Sequence, residues 1–273
     1  MCYGKSSRKK EALMIDSPVV AEQLRRDLPP WKIRDVIVGL LTTQLPLMAL
    51  IILPNLLLSN TTPSSTTTTA NKPLSTTGLI VTAILLFGIE MIFAIAPIFY
   101  ARKRGRQAGG ARIGFTELGF RGFNPIGAIG WVVLGYVIVI GASILYTVIV
   151  TQFHLGLTTN VQNLANQKLD RPLLILSAIS AVVIAPICEE LFFRGFVLQG
   201  LRKAMPAGVA VLVSSILFTA AHGDLGSAPL LFVSGLWMGF LRVQTRSIWP
   251  GVLFHTLNNA IAFTALLGIM ATH

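Results

Sequence analysis

The sequence predicts an all-α polytopic membrane bundle of about seven to eight transmembrane helices. Three observations carry that expectation. The 273 residues are 53% hydrophobic and only 12% charged, with mean hydropathy +0.70, whereas a soluble domain carries about twice that charge. The apolar residues gather into runs near the roughly 20 residues that cross a hydrocarbon core of about 30 Å. Basic residues gather between alternate runs.

Taken in order, residues 1–34 form a basic arm. Its opening, "MCYGKSSRKKEALMIDS", has no short apolar core and no small-residue cleavage site, so no cleaved signal is expected. A three-span region, 35–150, holds apolar runs at 36–58, 78–100 and 126–150. The first outer loop, "SNTTPSSTTTTANKPLSTT", is low-complexity and expected to lack fixed structure. Its Asn60-Thr61-Thr62 matches a glycosylation sequon, relevant only in a eukaryotic secretory setting. A glycine-containing connector, 102–121, precedes the third span. Four further runs follow at 173–198, 207–221, 228–241 and 248–270, the second and third of these short for a full crossing. An eighth, re-entrant element has room in 188–205.

The net charge of +11 follows this pattern. The arm carries Lys5, Arg8, Lys9, Lys10, Arg25, Arg26, Lys32 and Arg34, and the second loop carries Arg102, Lys103, Arg104, Arg106, Arg112 and Arg121. Arg202, Lys203, Arg242 and Arg246 mark the fourth and sixth loops. The alternate loops hold only Lys72, Lys168 and Arg171. The positive-inside rule therefore places the N-terminus in the cytoplasm, with the excess charge also attracted to anionic lipid. No basic-aromatic platform accompanies it, so nucleic acid is not an expected partner. Two cysteines, Cys2 and Cys188, are too few and too far apart to imply a disulfide framework or a metal knuckle.

"APICEELFFRG", 185–195, places three charges inside an apolar run, where each costs about 2.5–3.5 kcal/mol on the milder insertion scales. On a helix, Glu190 and Arg194 stand at i,i+4 with the acid first, the favourable order, so they form a structural ion pair. Glu189 projects about 100° away and lacks a local partner. All three could instead be a helix-locking polar cluster, but two further motifs weigh against that. "FTAAHGD" places Phe218 and His222 at i,i+4, and "FHTLNNA" does the same for His255 and Asn259. Either histidine alone is more often a hydrogen-bonding group between helices. Together with a spare carboxylate they supply a base, an imidazole and two donors, the parts needed to activate water and hold an oxyanion.

The ordered set Glu-Glu-x-x-x-Arg, Phe-x-x-x-His and His-x-x-x-Asn resembles the CPBP family, which takes in CAAX proteases and bacteriocin-processing enzymes, including the type II CAAX prenyl endopeptidases. The resemblance covers residues 173–262. It implies an intramembrane endopeptidase of the glutamate type, acting on hydrophobic or prenylated CAAX-type substrates without a cofactor or metal. Carried over by motif, Glu189 and His222 activate water, His255 and Asn259 form the oxyanion hole, and Glu190 with Arg194 buttresses the site. Two alternatives stay open: a non-catalytic scaffold or bacteriocin-immunity protein, and a zinc protease built on one glutamate and two histidines. No His-Glu-x-x-His stands in the chain, and Asn259 is a poor zinc ligand. A transporter would need repeat symmetry, which is not evident.

Straight full-length spans, counted at about 1.5 Å per residue from each surface, would hold Glu189 and His222 some 15 Å apart. Glu90, the one acid inside the first three spans, is expected to hydrogen-bond a neighbouring helix, with a functional role the default alternative. Cys188 sits in apolar surroundings that disfavour a thiolate nucleophile. Phe218 reads as packing, Asp224 as part of the outer rim, and Gly235 with Gly239 as close helix packing.

The basic asymmetry makes a direct prediction. With single cysteines introduced at Ser65 and Gly110, a membrane-impermeant thiol reagent should label Ser65→Cys in intact cells and leave Gly110→Cys unlabelled. The reverse pattern would invert the topology.

Overall fold

The computed structural model describes residues 29–59, 75–165 and 170–271. The rest of the basic arm, the Thr-rich loop with Asn60 and Lys72, Lys168, and His273 lie outside the described residues. Helices follow one another throughout, with no strand among the described residues. They are α1 (Ile33–Ser59), α2 (Thr76–Gln107), a short α3 (Ala111–Leu118) and α4 (Pro125–Gln152). After a one-turn α5 (Asn160–Ala165) come α6 (Arg171–Leu201), α7 (Ala207–His222), α8 (Ala228–Thr245) and α9 (Trp249–Ala271). Helices α2, α4, α6 and α9 are each long and apolar enough to cross a membrane. The protein is an integral membrane protein of the all-α class.

Local chemistry explains the helix ends. Ser75 caps α2, its hydroxyl oxygen accepting the Gly78 N–H at 3.1 Å. Asn124 caps α4 by accepting the N–H groups of Ile126 and Gly127, with Pro125 at the first helical position, where a missing N–H costs nothing. Gly223 closes α7 in the left-handed region at φ 60°, a conformation glycine adopts without a Cβ clash.

Large side chains such as Ile84, Ile95, Ile126, Val137 and Ile144 stand on the outer faces, where lipid tails are the expected solvent. Inside, Phe192, Phe193, Phe196, Phe218 and Phe254 are fully buried. The basic end of the bundle is tied together by charge. Arg104 grips Asp35 with Nε at 2.9 Å and Nη2 at 2.6 Å. Arg242 donates to the Glu117 carbonyl at 2.7 Å, and Lys203 to the carbonyls of Pro29 and Trp31. Trp31 is fully buried and donates its indole N–H to the Phe196 carbonyl at 3.1 Å.

Two features differ from expectation. Residues 188–201 continue α6, so they form no separate eighth element. The straight-span separation of Glu189 and His222 also fails. Glu189 lies twelve residues before the end of α6, about 18 Å, and His222 lies fifteen residues beyond the start of α7, about 22 Å. Measured from the turn they share, the two residues are level. At about 46 Å, α6 is longer than the hydrocarbon core, so counting from a surface placed at its start misjudges depth. Stretches Ser180–Ile184 and Leu191–Val197 of α6 are also wound as π-helix, a widening often found at functional sites.

Close approach of α2 and α3 depends on Gly114, where an added Cβ would overlap the Ala101 carbonyl. Gly114→Ala should lower the melting temperature in detergent by an overpacking cost of about 1–3 kcal/mol. Gly141→Ala, with open space around it, should not. Equal melting of the two variants would show that α2 and α3 do not pack this way.

Candidate active site

The site is built around the buried pair on α6. Arg194 Nη1 lies 2.8 Å from Glu190 Oε1, with side-chain exposures of 1% and 0%. Arg194 Nη2 donates to the Gly235 carbonyl of α8 at 3.2 Å, and the guanidinium lies over the Phe218 ring at 4.2 Å, a favourable cation–π distance. Two glycines make room for these charges. A Cβ at Gly235 would stand 3.4 Å from Arg194 Nη2, and one at Gly251 only 2.8 Å from Glu190 Oε2. Both α8 and α9 approach the pair closely because they carry no side chain there.

Glu189 faces another direction. Its Oε2 stands 3.6 Å from His222 Nε2 on α7 and 4.0 Å from His255 Nε2 on α9. That oxygen is buried and has no hydrogen-bond partner among the described residues. His222 Nδ1 lies 2.8 Å from the Phe218 carbonyl. A carbonyl can only accept, so Nδ1 carries the proton and Nε2 turns toward Glu189. His255 stands between the two glutamates, its Nδ1 3.5 Å from Glu190 Oε1. Phe218 packs edge-on against His255 and its ring centre is 4.5 Å from that of His222, so it braces both imidazoles as well as Arg194.

Asn259 lies one turn beyond His255, and its Nδ2 donates to the Ala181 carbonyl of α6 at 2.8 Å. An amide nitrogen has two protons, so one remains available. The structure thus brings Glu189, His222 and His255 together and ties Asn259 to the π-wound part of α6. Arg194 Nη1 and both Glu190 oxygens form no hydrogen bond of good geometry with a described residue, so the pair at 2.8 Å is held by charge more than by alignment.

Glu90 is the residue the motifs missed. It lines a cavity of about 180 Å³ together with Glu189 and His222. No hydrogen bond from a described residue reaches its carboxyl, so the expected interhelical bond is not found. Its position mid-span was the one available signal. The Cys188 thiol is buried 3.7 Å from the Met91 sulfur. Asp224, in the turn after α7, accepts the Asn160 and Ser227 N–H groups at 3.0 Å. Burial works against its charge, but these bonds and others from Ser227 and Gly226 outweigh it and hold the carboxyl below its ordinary value. No group of three His, Cys, Asp or Glu among the described residues is arranged to hold a metal ion.

The fold thus gathers a buried ion pair, a spare carboxylate and two braced imidazoles at one place among its apolar helices. Residues 171–261, a third of the chain, match the model of the Rce1-like family, described as type II CAAX prenyl endopeptidase Rce1-like. The chain is 31% identical to "Putative membrane peptidase YdiL" of Bacillus subtilis over 31% of its length and 34% of that protein's. It is 26% identical to "Membrane-embedded CAAX protease MroQ" of Staphylococcus aureus over 48% of its length and 55% of that protein's. The chain thus matches about a third and about half of these relatives. No solved structure matches it.

Removing one partner of a buried ion pair leaves an uncompensated charge, at a cost of about 3–5 kcal/mol. Glu190→Ala and Arg194→Ala should each lower the yield of folded protein in membranes and its melting temperature. Normal accumulation and melting of both would mean that the pair carries no structural burden.

Proposed function

We propose that the protein is an intramembrane endopeptidase that hydrolyses peptide bonds of hydrophobic or prenylated, CAAX-type substrates. The observation that carries this reading is the unpartnered Glu189 Oε2 facing His222 Nε2 at 3.6 Å. Both are acceptors, so neither can donate a hydrogen bond to the other. A water that donates one proton to each satisfies both, and its lone pair then faces outward toward a substrate carbonyl. As the C–O bond forms, one proton passes to the Glu189–His222 pair. His255, with a proton on Nε2 as well as on the Nδ1 that faces Glu190, and the free Asn259 N–H would then serve as donors for the developing oxyanion. When the C–N bond breaks, the proton taken from water passes to the leaving amine, so the site is regenerated without a covalent enzyme intermediate.

The relatives' names support the substrate class, and the apolar walls around the site support a peptide segment arriving from the membrane. The basic end of the bundle is assigned to the cytoplasm, as the lysine and arginine bias requires.

On a panel of prenylated and unmodified peptides, Glu189→Gln should abolish turnover while leaving substrate binding intact. Combined with His222→Ala it should be little worse than either variant alone, because the two act as a unit. Asn259→Ala should lose about 10²–10³ in rate. Activity should survive exhaustive chelation with metal content verified as negligible. Wild-type-like turnover in Glu189→Gln would remove the catalytic assignment, and zinc rescue of a chelated, inactive enzyme would transfer it to a metalloprotease. A wild-type protein that binds these peptides and cleaves none would be a scaffold.

A further inference from the structure

The cavity beside the site is walled by four helices. Leu47 comes from α1, Ile89, Glu90 and Phe93 from α2, Glu189 and Phe193 from α6, and Ala221 and His222 from α7. At about 180 Å³ it has room for several waters, since one water takes up about 30 Å³ of liquid. Its walls are otherwise apolar, and an apolar cavity of this size stays dry. Its polar groups fall into two sets: Glu189 with His222, and Glu90 on the facing helix. No described residue hydrogen-bonds Glu90. A side chain this costly at membrane depth, opening on the same cavity as the base, points to a role in that cavity's contents.

We propose that Glu90 is a positioning residue that keeps this cavity hydrated and holds the water supplied to Glu189 and His222. A hydrolase embedded in lipid consumes one water per turnover, and the surrounding hydrocarbon provides none. Glu90 accepts hydrogen bonds from cavity waters, whose remaining protons and lone pairs link them to the water between Glu189 and His222. Glu90 does not touch the substrate and acts only through the water. The inference rests on the hydrolytic reading above.

The test uses the purified full chain in detergent or lipid nanodiscs, with kcat, KM and melting temperature measured for each variant. Glu90→Met removes the polar wall at similar volume. It should lower kcat by about 10–100-fold, the scale of a misplaced reactant, with KM unchanged and melting equal or higher. Glu90→Gln keeps a carbonyl acceptor and should stay within about 3-fold of wild type, since a neutral amide can still orient water. Leu47→Phe shrinks the cavity from α1 without touching a charged group and should repeat the kcat loss. It also keeps the proposal testable if Glu90→Met fails to accumulate. Wild-type kcat in a folded Glu90→Met or Leu47→Phe, with Glu189→Gln dead, would overturn the water-holding role and leave hydrolysis standing. A fall in melting temperature and kcat alike, unrelieved by Glu90→Gln, would reassign Glu90 to packing. No turnover in the wild-type protein would remove both readings.

Discussion

The ion pair between Glu190 and Arg194 is the interaction on which the rest of the site depends. Two opposite charges one helical turn apart neutralise each other where neither could be buried alone. Arg194 is committed to Glu190, to the Gly235 carbonyl and to the Phe218 ring, and so is not the partner of the adjacent carboxylate. Glu189 Oε2 is left without a hydrogen-bond partner among the described residues. The same pair fixes the surrounding helices. Helix α8 meets it at Gly235, α9 meets it at Gly251 and through His255, and α7 meets it through Phe218. One buried charge pair therefore sets the distances among groups drawn from four helices.

That arrangement suits acid–base hydrolysis better than nucleophilic catalysis. Among the described residues the one thiol, Cys188, contacts the Met91 sulfur. The imidazole nearest the carboxylate is held in one tautomer by a backbone carbonyl on its own helix. Orientation of His222 thus depends only on α7 staying helical through its last turn, which the left-handed cap at Gly223 secures. The π-wound stretches of α6 flank the two glutamates on either side. The first of them supplies the Ala181 carbonyl that ties down Asn259.

Much of this was legible in the sequence, and the reasons differ by residue. The pairing of Glu190 with Arg194 follows from i,i+4 spacing and the cost of burying either charge alone. The meeting of Glu189 with His222 follows from motif order but not from geometry. Depth counted from an assumed bilayer surface put them some 15 Å apart, and only the shared turn after α6 brings them level. The close approaches at Gly235 and Gly251 have no local signature, because what they admit comes from another helix. The π turns leave no readable mark either. Glu90 was visible as a misplaced charge, but its cavity is made by four helices and exists only in the folded chain. The basic arm and the Thr-rich loop shaped the topological reading and lie outside the described residues.

The central claim is that two neighbouring glutamates have opposite duties, one holding the fold and one serving the chemistry. The most direct measurement is the melting temperature of Glu189→Gln and Glu190→Gln, side by side in one detergent. Glu189→Gln leaves the Glu190–Arg194 pair intact, so its melting temperature should stay level or rise. Neutralising Glu190 strands Arg194 in the core, so its melting temperature should fall by several degrees, as a loss of a few kcal/mol implies. Equal falls, or a larger fall for Glu189→Gln, would contradict the division of labour on which the site rests.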